Sequence, residues 1–369
     1  MKTVNGIYTS AKIFTDDIEN YALAQIQMLC DMEAFANCKI RIMPDVHPGK
    51  VGTIGFTSTV GDKILPSVVG IDIGCGITVA KIKQKKAEFQ KLDTVIRENI
   101  PSGFGVRKSL HRFMAEVDLD ALKCGSHIQR ERIGRSLGTL GGGNHFIELD
   151  RGEDGSLFAV IHSGSRNLGK EVTEYYLDQG QKYLKEQGVS VPYELAWLDR
   201  SLMEDYLQDM QVVLQFAEWN RRAILDELAK GMKWKVQEIH SVMHNYVDCE
   251  ERILRKGAVS AKKGEWVAIP VNMRDGVLIG TGLGNADWND SAPHGAGRIL
   301  KREDVKKQYT VSSFKKEMKG IYSSCISQAT LDEAPFAYRG LEQIAQAVSE
   351  TVAIEERLTP VYNYKDQSR

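Results

Sequence analysis

No stretch of the 369 residues stays apolar for the roughly 18 positions that a membrane-spanning helix requires. The first residues, Met1-Lys-Thr-Val-Asn-Gly6, lead into Asp16, Asp17 and Glu19 rather than into an apolar secretion signal, so a cytoplasmic protein with no membrane attachment is expected. Neither sign of charge dominates: 48 basic side chains face 49 acidic ones, for a net charge of −1. That balance offers no global case for nucleic-acid binding, although a local basic patch would suffice for it. The six cysteines, Cys30, Cys38, Cys75, Cys124, Cys249 and Cys325, are irregularly spaced and form no CxxC pair. A disulfide framework is not expected, and most of these thiols should be reduced and structural. No Gly-x-x-x-x-Gly-Lys-Ser/Thr loop occurs, so any nucleotide must be held by a different cradle.

What is present is ordinary in bulk, with 42% hydrophobic and 26% charged residues in a chain longer than one typical core. Residues 17–36 carry the apolar stripe of a helix. Residues 39–83 are rich in Gly, Val, Ile and Thr and predict several short strands. The charged segment 84–135 predicts mostly helix, and 136–170 predicts glycine-rich loops around apolar runs such as Leu157–Ile161. Residues 171–249 form the longest helical stretch, with Pro192 and Gly231 as breaks and a helical hairpin at 190–210. Strands and loops return over 253–300, and 341–357 predicts an amphipathic helix ended by Pro360. No linker divides the chain. The expectation is one α+β domain over 1–369, with mixed sheets, surrounding helices and a helical insertion at about 171–249.

Four of the eight histidines stand in glycine-flanked polar loops. His47 lies in Pro44-Asp-Val-His-Pro-Gly49, His145 in Gly141-Gly-Gly-Asn-His-Phe-Ile-Glu148, His162 in Ile161-His-Ser-Gly-Ser-Arg166, and His294 in Ser291-Ala-Pro-His-Gly-Ala-Gly-Arg298. Such loops let backbone approach a ligand closely, although any one of these histidines alone reads equally as a hydrogen-bonded turn residue. Val69-Gly-Ile-Asp-Ile-Gly-Cys-Gly76 adds Asp72 and Cys75 three positions apart. A thiolate beside a carboxylate and imidazoles suits manganese, iron or zinc, while a buried structural cysteine beside a turn aspartate is the competing reading. His240 and His244 have i, i+4 spacing on an expected helix, without the glutamate of a protease-type zinc helix. Gly141-Gly-Gly-Asn144 and Gly295-Ala-Gly-Arg298 could offer backbone N–H groups to phosphate, or could be tight turns.

Taken in order, these motifs resemble the RtcB family of RNA ligases, from about residue 40 to residue 365. Pro44–His47, Val69–Gly76, Leu140–Glu148, Ile161–Arg166, His244-Asn-Tyr246, Arg255–Ala258, His294–Arg298 and Asp332–Tyr338 follow the family's order. The resemblance implies that Cys75 bridges two Mn2+ ions, with Asp72 and His145 completing one site and His162 and His244 the other. His240 is then the structural member of its pair. It implies that His294 attacks the α-phosphate of GTP and carries GMP. Asn144, Asn272 and the loop Gly295, Ala296, Gly297 and Arg298 would meet nucleotide phosphate. Glu148 and Lys365 would read the guanine edge, and Tyr338 would stack on the base. Asp45, Arg166 and Asn245 would line the site.

The implied substrates are RNA ends bearing a 2′,3′-cyclic phosphate or 3′-phosphate and a 5′-hydroxyl, joined in RNA repair or tRNA splicing by a monomeric enzyme. Three positions depart from the family's usual pattern: Asn272 stands for a serine, Pro293 for a small polar residue, and Asp366 for the glycine after the lysine. Two other readings use the same residues. One is a metal-dependent RNA-end phosphodiesterase or phosphatase that needs no nucleotide, and the other is a non-catalytic RNA-end binding protein.

Overall fold

β-Branched residues recur along the segments that pair into the two large sheets of the α+β fold. The computed structural model describes residues 1–368. A six-stranded sheet has the spatial order Lys2–Asn5, Ser10–Ile13, Ile40–Pro48, Thr53–Thr59, Ile253–Lys256, Asn245–Asp248. A seven-stranded sheet has the order Val236–Met243, Gly76–Ile82, Leu157–Ser163, Phe146–Arg151, Val352–Tyr364, Gly276–Gly282, Trp266–Asn272. All its pairings are antiparallel. The chain crosses from the second sheet to the first at His244, which sits between the strands Val236–Met243 and Asn245–Asp248. At the start of Gly76–Ile82 the neighbouring strand comes so close that a Cβ on Gly76 would lie 2.1 Å from the Val242 carbonyl oxygen. Only glycine fits there, immediately after Cys75.

Two helices back this framework. Asn167–Glu186 and the 33-residue Arg200–Met232 bury one face each, the latter through Met203, Tyr206, Met210, Val213, Phe216 and Ile224 among others. Arg200–Met232 also buries polar groups. Asn220 Oδ1 accepts from the amides of Gly138 (2.7 Å) and Thr139 (3.1 Å), and its Nδ2 donates to the carbonyls of Thr139 (3.1 Å) and Gly164 (3.1 Å). Arg221 donates to the carbonyls of Gly74 (2.8 Å) and Ser163 (2.9 Å). Burial lowers its pKa to about 10, which still leaves it charged. One helix therefore satisfies the loops that carry Cys75, His145 and His162.

The structure corrects several expected elements. The first helix is shorter, Asn20–Cys30. Segment 84–135 holds only Phe89–Asn99, the start of Arg130–Ser136 and brief 3₁₀ turns, because Pro101, Gly103 and Gly105 interrupt it and the side chains of His111 and Asp118 cap short turns. The expected helical stretch 171–249 stops at Met232, where Lys233 turns left-handed (φ 57°). Gly231 does not break the helix. The expected hairpin at 190–210 is instead a 3₁₀ turn, a two-residue strand and the start of the long helix. His240 and His244 are consequently not on a helix. The helix expected over 341–357 covers only Leu341–Ala347, and Pro360 lies inside the strand Val352–Tyr364, at a register shift. All six cysteines are free, and among the described residues no helix is long and apolar enough to cross a membrane.

Candidate active site

Five potential ligand side chains converge at the seam between the two sheets. Cys75 and Asp72 come from the loop before Gly76–Ile82, His145 precedes Phe146–Arg151, His162 lies on Leu157–Ser163, and His244 marks the crossing between sheets. Asp72, Cys75 and His145 form one group whose ligand atoms all lie within 4.8 Å of each other, and Cys75, His162 and His244 form a second. Cys75 Sγ belongs to both.

The hydrogen bonds behind the imidazoles set which nitrogen faces the cluster. His145 Nδ1–H donates to the Leu140 carbonyl (2.9 Å) and His162 Nδ1–H to the Asn144 carbonyl (3.3 Å). Each Nε2 is therefore left with a lone pair, turned toward Cys75 Sγ at 3.4 and 3.3 Å. His162 Nε2 also faces His244 Nε2 at 3.4 Å, and His145 Nε2 lies 3.1 Å from Asp72 Oδ2. Donor atoms bound at about 2.0–2.3 Å around a four-coordinate ion sit about 3.3–3.8 Å apart. The spacing and the chemistry of the set, one thiol, one carboxylate and three imidazoles, fit divalent transition-metal ions.

Electrostatics agree. Burial, with the Asp72 charge, pushes the Cys75 thiol well above its ordinary range, and burial holds His162 and His244 well below theirs and neutral. Burial alone would raise the Asp72 carboxyl, but the hydrogen bond and charge of His145 outweigh it and hold it low. A cation between these groups would supply the positive charge that the thiolate lacks. Asn245 steadies the loop, donating to the Asp72 carbonyl (3.2 Å) while accepting from the Gly257 amide (2.9 Å).

His294 stands against this cluster, its ring 4.9 Å from that of His244, centroid to centroid. Its Nδ1 donates to Asp45 Oδ2 at 2.7 Å, so the other ring nitrogen carries the lone pair. Asp45 is fully buried in the strand Ile40–Pro48. His294 opens into a pocket with Asn144, Glu148, Asn272, Gly295–Arg298, Tyr338 and Lys365 in its wall.

The residues match the family described as "tRNA-splicing ligase RtcB" over 25–122 and 114–366. The RNA-splicing ligase RtcB of Escherichia coli strain K12 is 31% identical over 356 residues, covering 85% of this chain and 87% of that protein. RNA-splicing ligase RtcB2 of another Escherichia coli strain is 28% identical over 397 residues, covering 96% and 95%. The tRNA-splicing ligase RtcB of Aeropyrum pernix is 28% identical over 399 residues, covering 83% of each chain. This chain belongs to the RtcB family.

Within this RtcB pocket the side chains are partnered in ways the sequence did not announce. Lys365 Nζ donates to Glu333 Oε2 and to the Asn144 carbonyl, both at 3.1 Å, rather than to Glu148. Glu148 instead accepts a short hydrogen bond from Asn363, and burial raises its pKa. Tyr338 donates to Glu333 (2.8 Å), and the Arg298 guanidinium lies 5.0 Å from its ring centroid. Burial would raise the Glu333 carboxyl, yet Lys365, Arg302 and Arg298 together hold it low. Asn272 spends its amide on its own turn, accepting from the Arg274 and Asp275 amides and donating to Asp275 Oδ2 (2.8 Å). Arg166 contacts the Gly103 carbonyl at 3.2 Å and holds a positive φ of 57°, a strained conformation for a non-glycine residue at a site. His240 stacks on Trp266, away from the cluster.

Glu333, Arg302, Phe146 and His47 also line the pocket and were not singled out as site residues. Glu333 and His47 sit inside quoted motifs, but the pairing of Glu333 with Lys365, 32 residues apart, leaves no local signal. His47 Nδ1 donates to the Asp45 carbonyl (3.0 Å), and burial lowers its pKa to about 4, so it presents a neutral ring.

Proposed function

We propose that this protein is a GTP- and Mn2+-dependent RNA ligase that joins a 2′,3′-cyclic phosphate or 3′-phosphate end to a 5′-hydroxyl end through a covalent GMP adduct on His294. The carrying observation is the pair of ligand groups sharing Cys75 Sγ, with the Asp45-held His294 beside them. Asp72, Cys75 and His145 would hold one ion and Cys75, His162 and His244 the other. Bound there, they would polarise phosphate oxygens and offset developing charge.

The remaining work falls to side chains of this chain. Asp45 fixes the His294 tautomer and would balance the positive charge the ring gains as its free nitrogen attacks the α-phosphorus of GTP and pyrophosphate leaves. Glu148 is positioned to accept hydrogen bonds from the guanine edge, which requires its ionised form. Tyr338 offers a ring face for the base, and Lys365 and Arg298 bring positive charge to the nucleotide. Water would open a cyclic phosphate to a 3′-phosphate, which then takes GMP from His294. The 5′-hydroxyl attacks that activated phosphorus, its proton is lost to solvent, and GMP leaves.

Incubation with labelled GTP and manganese should label wild-type protein and leave His294→Ala unlabelled. Persistence of the adduct in His294→Ala would end the assignment of His294. Turnover of RNA ends without GTP would favour the phosphodiesterase reading.

A further inference from the structure

A second cleft adjoins the nucleotide pocket. Asn144 lines both spaces, whereas Asp72 and His145 face the second. Two of the molecule's exposed apolar side chains border this cleft: Phe104, 91% exposed, and Ile71, 52% exposed. A phenylalanine so exposed gains nothing from folding, and one placed at the rim of a site points to a ligand that covers it.

Its backbone is not loose. Gly103, with φ +59°, makes the turn that sends Phe104 outward. The Gly103 amide donates to the Gly141 carbonyl (3.0 Å), and the Gly105 amide to the Ser102 carbonyl (3.0 Å). Arg132 donates to the Phe104 carbonyl (3.4 Å), and Arg166 to that of Gly103 (3.2 Å). The same Arg166 guanidinium lies 3.5 Å from His145 Nδ1, so the turn is one side chain away from a metal ligand.

The cleft's charge suits a phosphodiester. Arg132, Arg166 and Lys170 line it, and Arg132 has no ion-pair partner among the described residues. Of the two acids there, Asp72 faces His145 and Asp366 is occupied by Ser368.

We infer that this cleft receives a single-stranded RNA end, whose terminal base stacks on Phe104 while Arg132 and Lys170 meet its phosphates. The inference rests on the proposed ligase reading and assigns the strand a place in it. A rigidly presented aromatic beside cations, here the unpaired Arg132 and a Lys170 that pairs only loosely with Glu174 (3.7 Å), is the pattern by which single strands are held without duplex readout.

The test is fluorescence anisotropy with two short labelled oligoribonucleotides, one ending in a 3′-phosphate and one beginning with a 5′-hydroxyl, across a salt series. Phe104→Ala should weaken binding of one strand by roughly 5- to 150-fold, and the strand affected identifies the end that docks there. Phe104→Trp should retain the affinity. The slope of log affinity against log salt should stay the same in Phe104→Ala and shrink by about one in Arg132→Ala. Equal binding of both strands by wild type and Phe104→Ala overturns the assignment. Labelling with GMP separates this from its parent. Wild type that takes GMP but binds RNA independently of Phe104 loses only the cleft. Wild type that takes no GMP yet needs Phe104 for RNA loses only the ligase reading.

Discussion

At the scale of single residues, the contact between His294 and Asp45 fixes which ring nitrogen carries the lone pair. Asp45→Asn preserves shape but lets an N–H face Nδ1, which favours the wrong tautomer. It should slow formation of the GMP adduct by roughly 10²- to 10⁴-fold, with manganese content unchanged, as measured by single-turnover labelling. A second residue is quieter. Asp150 is fully buried, both its carboxyl oxygens lack a hydrogen-bond partner, and burial followed by the Glu148 charge raises its pKa well above normal. The folded protein thus holds a proton that the unfolded chain, with an Asp pKa of about 3.9, releases. Stability must fall as pH rises above that value. Asp150→Asn removes this loss, so its Tm should exceed that of wild type by a margin that widens from pH 5 to pH 8. A constant margin across that range would show that Asp150 is not the group responsible.

At the scale of elements, the helix Arg200–Met232 is the part whose role the sequence concealed most. Its apolar stripe is plain, but Asn220 and Arg221 read as surface residues until the loops they satisfy are seen. Asn220→Ala strips partners from several buried backbone groups at roughly 1–3 kcal/mol each, so a loss of about 3 kcal/mol or more is expected in urea unfolding. The glycine-flanked loops were legible because their signal is local: polar residue, histidine and glycine fall within a few positions. The strands near them were less so. Val236, Ile239 and Val242 favour a strand, yet the spacing of His240 and His244 imitates one helix face. Likewise Pro360 suggested a helix end, when proline also fits at a register shift in a sheet. Charge pairing such as Lys365 with Glu333 could not be read at all, since nothing local ties the two together.

At the scale of the molecule, the ligand groups lie where two sheets meet, so ion binding should stabilise the whole fold rather than one loop. Manganese at a hundred times its dissociation constant should add about 2.7 kcal/mol per site, visible as a Tm rise of several degrees. His145→Ala should lose one ion of the two by elemental analysis, and Cys75→Ala should weaken both. Full retention of two ions in Cys75→Ala would remove the shared thiolate.

The same architecture bears on how the chain is made. The strand Val352–Tyr364 lies inside the seven-stranded sheet, between Phe146–Arg151 and Gly276–Gly282, and pairs with a strand roughly 200 residues earlier. At ribosomal speeds of about 5–20 residues per second, Phe146–Arg151 waits about 10–40 s for this partner strand. Once Gly276–Gly282 is made, two open strand edges flank an empty slot until Val352–Tyr364 follows, and Lys365, the residue that steadies Glu333, has not yet been synthesised. The nascent protein is therefore prone to wrong pairing until Val352–Tyr364 emerges, and the pocket beside His294 stays incomplete until Lys365 is added.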